Sequence, residues 1–236
     1  MQMSEQLFIE ELKKLGININ SNQLKQLEKY YELLIEKNKV MNLTNITEKE
    51  SVYLKHFYDS LTLTKVEDFN KVENLCDVGT GAGFPGLVIK IIFPNLHVVL
   101  VDSLNKRIKF LKEVISELNL EKIETIHARA EEYAKENRNR FDIVTSRAVA
   151  RLSILNEFCL PMVKIGGSFI CMKGNASEEL KEDKKSIKIL NSRIEKIEEF
   201  FLPIEESTRT LIKIRREGHI DYKYPRSFKE TKKKPL

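Results

Sequence analysis

Tryptophan is missing from the 236 residues, and cysteine occurs only three times, as Cys76, Cys159 and Cys171. No two of these are spaced as C-x-x-C, and each lies in an apolar run, so neither a disulfide framework nor a thiolate metal site is expected. Buried free thiols suit a reducing cytoplasm, and a cytoplasmic chain is the expectation. Long hydrophobic runs are also lacking. The longest, residues 87–93, is interrupted by Lys90 and is far too short to cross a bilayer. The opening "MQMSEQLFIEELKKLG" puts acids where a secretion signal needs bases, and it offers no small-residue cleavage site. Repeats and low-complexity linkers are absent. Glycine is scarce, nine in all, yet four of the nine fall within residues 79–86.

What remains is an ordinary soluble composition. With 42% hydrophobic and 32% charged residues, the chain can build one sizeable core. The net charge of +5 is unevenly spread: from His219 onward six Lys/Arg face two acids. The segment "RSFKETKKKPL" therefore reads as a mobile basic tail suited to a polyanion such as RNA. A solvated tail that only aids solubility has the same composition.

Two amphipathic helices are expected first, one capped by Ser4 and stopped at Gly16, and one starting near Ser21 with Leu24, Leu27, Tyr31 and Leu34 on its face. "Thr47-Glu-Lys-Glu50" has capping-box spacing and predicts a third, through Val52 and His56 to about Leu61. From Asn74 the pattern changes. "NLCDVG", "HVVLVD", "IETIHA", "FDIVTS" and "GGSFICMKG" are β-branched runs alternating with helical segments, among them "SILNEFCLPMVK" and a helix with Pro85 at its first position. That alternation predicts a parallel sheet covered on both faces. A charged helix from about Ser177 leads to "RIEKIEEFFLP" and "TRTLIKIRRE", which alternate as an antiparallel edge hairpin does. The expected fold is α/β, of the Rossmann-like methyltransferase type. It forms one domain: a helical extension over 1–70, a core over 71–218 and a basic tail over 219–236.

The glycine cluster "NLCDVGTGAGFPGL" contains two fingerprints at once. From Gly81 it is the G-x-G-x-x-G of nicotinamide folds, and from Asp77 it is the D-x-G-x-G-x-G of S-adenosylmethionine (AdoMet) sites. Gly79, Gly81 and Gly83 serve either by letting the backbone approach a ligand. Asp77 discriminates, because a carboxylate at the strand end repels a pyrophosphate but suits the sulfonium and ammonium of AdoMet. Asp102, 19 residues after Gly83, is placed to accept two ribose hydroxyls, or else to cap the helix that follows. Ala130 and Glu131, after the third strand, fall where a nucleoside base would sit. Arg147, just past the fourth, points at the same crevice, or makes a surface ion pair.

Together these motifs resemble the bacterial ribosomal RNA small-subunit methyltransferase G family, also called glucose-inhibited division protein B. The resemblance runs through "KVMNLT", "KHFYDSL", "DVGTGAGFPGL", "VDSLNKRIKFL", "RAEE", "TSRAVARL" and "MKG". Departures are small: Val88 stands where a proline is common, and Lys39 and Lys55 stand where arginine often does. The resemblance implies transfer of a methyl group to N7 of one guanine of 16S rRNA, guanine 527. It also implies Gly79, Phe84, Ala130, Glu131 and Arg147 as AdoMet contacts. The expected partner is 16S rRNA or the small ribosomal subunit, with the chain acting as a monomer and with no membrane or metal.

Guanine N7 has a lone pair and no proton, so no general base is needed, and no catalytic residue is identified. His56 and Lys173 are candidate RNA contacts, although a buried histidine and a solvated lysine account for them as simply. Tyr53, Phe57 and Tyr58 could stack bases but fit core packing better. Two other classes remain open: a methyltransferase of a protein, small molecule or other RNA, and an inactive RNA-binding module of the same fold.

Overall fold

The computed structural model describes residues 2–147, 150–205 and 207–236. Seven strands form one sheet: β1 (Asn74–Val78), β2 (His97–Asp102), β3 (Ile123–His127), β4 (Phe141–Arg147), β5 (Val163–Lys173), β6 (Ser192–Phe201) and β7 (Thr208–Arg216). Their order is β3-β2-β1-β4-β5-β7-β6. The first five are parallel, and β7 inserts antiparallel between β5 and β6. The expected α/β class, a mostly parallel sheet ending in an antiparallel hairpin, is what the chain forms. Strand order reverses at β1, between β2 and β4, so a crevice opens beyond the carboxyl ends of these strands.

One face of the sheet carries α1 (Glu5–Lys14), α2 (Ser21–Met41), α3 (49–65), α4 (Gly86–Ile92) and α5 (Asn105–Glu117). Ser4 caps α1 as expected. The buried face of α2 is rotated slightly from expectation, with Tyr30 and Leu33 inside and Tyr31 at the edge. The predicted capping box at 47–50 does not form. Glu48 occupies the cap position without a side-chain bond, and the Thr47 carbonyl instead accepts from the Tyr31 hydroxyl at 3.2 Å. The third helix is also not a plain α-helix. Its middle, Tyr53–Tyr58, is a π-turn, and Thr62–Lys65 is a 3-10 turn. Tyr53, Phe57 and Tyr58 are all buried in the core, which is the packing reading rather than base stacking.

The other face carries α6 (Ala130–Glu136), α7 (Leu152–Cys159), α8 (Ser177–Glu182), α9 (Lys184–Ile189) and α10 (Phe228–Lys233). Residues 130–136 gave no helical periodicity in the sequence. "SILNEFCLPMVK" ends sooner than expected: Pro161 sits in a 3-10 turn and Val163 already opens β5. The charged helix from Ser177 is two short helices that meet at Asp183. That carboxylate accepts the Ser153 backbone N–H at 3.0 Å and so ties the break to α7. Pro85 precedes the first helical residue instead of occupying it. Within the basic segment 219–236, residues 226–236, read from composition as a mobile tail, are docked. Ile220, Tyr224 and Thr231 are buried, and Arg226 pairs with Glu157, whose side chain is wholly buried.

Candidate functional site

The site grows from the turn between β1 and α4. Gly79, Gly81 and Gly83 all have positive φ, so the loop folds back over the end of β2. There the amides of Gly79 and Thr80 donate to the Val101 carbonyl at 2.9 and 3.1 Å. Gly83 is required twice over. Its φ is 107°, and a Cβ there would come within 2.5 Å of the Tyr30 hydroxyl. That hydroxyl donates to the Ala82 carbonyl, so a residue of the N-terminal helices holds the loop from outside.

Two carboxylates hold it from inside. Asp77 is fully buried, and its Oδ2 accepts from Thr80 Oγ1 at 2.7 Å and from the Gly86 amide at 2.8 Å. Its Oδ1 has no partner. Burial pushes the Asp77 carboxyl up to about 6, against the lowering effect of the two hydrogen bonds. Asp102 ends β2. Its Oδ2 accepts from the Gly81 amide at 2.9 Å and Arg107 Nη1 at 3.3 Å, and its Oδ1 accepts from the Leu104 amide at 2.9 Å. The carboxylate therefore caps the approach to α5 and pins the glycine loop together. Four lone-pair positions on a carboxylate leave room for one further donor on Oδ1.

Between these groups lies a cavity of about 310 Å³ lined by Gly79, Asp102, Arg107, Ala130, Glu131 and Ser146, with Ile154, Leu155, Phe158 and Phe228 on its apolar wall. A larger hollow of about 460 Å³ lies elsewhere, among Leu15, Thr64 and Phe93, and shares no residue with the loop. The smaller cavity has the features a nucleoside with a charged tail requires. It has a Cβ-free approach at Gly79, an acidic residue, Asp102, at the strand end, and an apolar wall.

Phe84 and Arg147 belong to a second cluster. Phe84 stacks on His56 with ring centroids 4.4 Å apart, and the Arg147 guanidinium lies 5.1 Å from the centre of the Phe84 ring. Arg147 is the last residue of β4 rather than one beyond it. Its Nη1 donates to the Lys55 carbonyl at 3.1 Å and to Asp59 at 3.2 Å, and its Nη2 lies 3.3 Å from His56 Nδ1. Asp59 also accepts from Arg209 Nε at 3.0 Å, so one buried carboxylate joins α3 to both β4 and β7. His56 Nδ1 faces both Arg147 Nη2 and, at 3.2 Å, the Lys55 carbonyl, while Nε2 lies 2.8 Å from Thr44 Oγ1. Burial first, and Arg147 second, lowers the His56 imidazole to about 3, so it stays neutral.

A family model described as rRNA small subunit methyltransferase G matches residues 23–208. The chain is 51% identical over 237 aligned residues to ribosomal RNA small subunit methyltransferase G of Bacillus licheniformis, covering 99% of both chains. It is 50% identical to the Bacillus subtilis protein of that name, covering 99% of both. The chain belongs to the rRNA small subunit methyltransferase G family. Among solved structures, P. horikoshii TYW2 in complex with MeSAdo is similar with a TM-score of 0.53 and 17% identity, over 67% of this chain and 60% of that one. At that identity the likeness concerns the fold.

Within this methyltransferase, the sequence-derived candidates divide into three groups. Gly79, Asp102, Ala130 and Glu131 line the cavity, and Gly81 is bonded to Asp102 at its edge. Asp77, Gly83 and Phe84 lie beneath or behind the loop, and Arg147 and His56 are beside Phe84. Lys173 stands apart. Its Nζ donates to the Ala150 carbonyl at 2.5 Å and pairs with Glu179 at 2.9 Å, so its charge is spent inside the protein. Ala148 and Val149 of "TSRAVARL" lie outside the described residues. Arg107, Ser146, Asp59, Arg209 and Phe228 were not foreseen. Arg107 follows Asp102 by five residues on the first turn of a predicted helix, a signal that was available. Phe228 had none. Among the described residues no group of three or more His, Cys, Asp or Glu could hold a metal ion, and no helix is long and apolar enough to cross a membrane.

Proposed function

We propose that this protein methylates N7 of a guanine in 16S rRNA, guanine 527 by family resemblance, using S-adenosylmethionine. Membership of the rRNA methyltransferase family, together with a Cβ-free cavity at the strand reversal, is the observation that carries this reading. Gly79, Asp102, Ala130 and Glu131 would hold the nucleoside half, with Phe84 and Arg147 toward the other end. When bound, AdoMet supplies an electrophilic methyl group that a nucleophile attacks in line.

The choice of N7 rests on which groups the site contains. N7 offers a lone pair without a proton, so positioning and electrostatics suffice. The histidine nearest the loop is held neutral and tied to Thr44 and Arg147, an orienting group rather than a proton carrier. Carbon methylation would need a thiolate, and burial raises every thiol here, Cys171 to about 12 and Cys76 and Cys159 well above the ordinary value. The chain also lacks the Asn/Asp-Pro-Pro-Tyr type of motif used for exocyclic amines. Methylation leaves a positive charge on the purine, which a carboxylate such as Asp77 or Glu131 would help to tolerate.

The test is to incubate the protein with methyl-labelled AdoMet and either small subunits, naked rRNA or extract protein. Label should enter 16S rRNA, and reduction followed by aniline should cut that RNA at one position. Label in 16S rRNA without cleavage removes N7, and label in protein removes the RNA substrate.

A further inference from the structure

The apolar wall of the cavity includes a residue from the far end of the chain. Arg226 reaches Glu157 on α7 with three bonds: its backbone N–H and Nε donate to Oε1 at 2.8 Å each, and Nη2 donates to Oε2 at 2.6 Å. Ser227 then caps α10 in a reciprocal capping box with Glu230. The first residue of that helix, Phe228, packs on Phe158 with ring centroids 6.4 Å apart, and its ring lines the cavity while remaining 42% exposed. A tail serving only to attract RNA needs neither a buried glutamate nor an aromatic ring turned toward the nucleoside cavity. The exposed lysines of α10 do not line that cavity.

We propose that Phe228, held in place by Arg226, is part of the cofactor site. Phe228 is the aromatic wall against which the nucleoside base packs, and the Glu157–Arg226 pair is the clamp that positions it. This rests on the methyltransferase reading of the cavity. Asp102 fixes the ribose end at the tip of β2. The base then extends toward Ala130 on one side and the α7 wall on the other, where Phe158 and Phe228 meet. A half-exposed ring beside an apolar hollow is covered when a base arrives, and every base presents a π-face to it.

The test is calorimetry on the full chain with two probes, S-adenosylhomocysteine and 5′-methylthioadenosine, the second lacking the amino-acid end. Phe228→Ala should weaken both by about fivefold or more, and by equal factors, because only the base touches the ring. Phe228→Tyr should bind within about twofold of the parent. Phe228→Leu keeps the packing on Phe158 but removes the aromatic face, and should lose affinity while melting like the parent without ligand. Parent protein that binds neither probe overturns the cofactor reading itself. Parent protein that binds both, with Phe228→Ala and Phe228→Leu unchanged, overturns this proposal and leaves that reading standing.

Discussion

His56 lies flat against Phe84 between Thr44 and Arg147, where burial and the guanidinium charge both oppose a second proton. Its folded value of about 3 lies below the ordinary 6.5, so the unfolded chain binds a proton that the folded chain refuses. Stability is full above about pH 6.5 and falls with acidification, by up to about 1.4 kcal/mol per pH unit. Asp77 works in the opposite sense. Its carboxyl is raised from 3.8 to about 6, so stability is regained as pH falls through that window. The parent should therefore show a shallow dependence. His56→Gln, which bonds without titrating, should gain stability relative to the parent as pH drops. Urea titrations from pH 7.5 to 4.5 measure this, and parallel curves would dismiss the buried neutral imidazole. At Asp102, replacement by Asn leaves one acceptor oxygen for three donors and a ribose. AdoMet affinity should fall about tenfold or more by calorimetry. Unchanged affinity would leave Asp102 the role of loop pin and helix cap alone.

Elements far apart in sequence hold the site together. The α2 helix supplies Tyr30 to the glycine loop and Gln23 to the carbonyls of Ile91 and Ile92 at the end of α4. The α10 helix is anchored by Arg226. Arg226→Ala leaves the buried Glu157 carboxylate without its counter-charge, held only by the backbone N–H of residue 226, and should cost about 3–5 kcal/mol in urea unfolding. Replacing both residues by leucine should cost less, since no buried charge remains, and a double variant as unstable as the single one would contradict this. The same separation explains what the sequence showed. The strands were legible because buried parallel strands are continuous β-branched runs, and the glycine loop was legible because its constraint is local. The Asp59–Arg147–Arg209 link was not, because its members are separated by 88 and 150 residues. The docked tail escaped for a related reason: composition registers its lysines, while Glu157, 69 residues away, decides where it goes. In 130–136 the single large apolar residue, Tyr133, is too little to mark a helical face.

For the molecule as a whole, the two properties of the C-terminal segment separate by experiment. Changing Lys229, Lys233 and Lys234 to Gln removes three exposed charges and leaves Phe228 in place. Binding to 16S rRNA should lose about 0.7–0.9 from its salt slope for each phosphate contact removed, with AdoMet affinity unchanged. An identical slope would mean that these lysines meet no phosphate.

The position of β7 sets an order of events during synthesis. β5 can complete its pairing only when residues 208–216 arrive, because β7 lies between it and β6. Until then the run Phe169–Met172 presents an open edge along one side of an otherwise finished sheet. At ordinary ribosomal speeds that interval is on the order of a few seconds, long enough for a bare apolar edge to meet another nascent chain. A message truncated just before Thr208 should therefore yield insoluble protein rather than a weak enzyme.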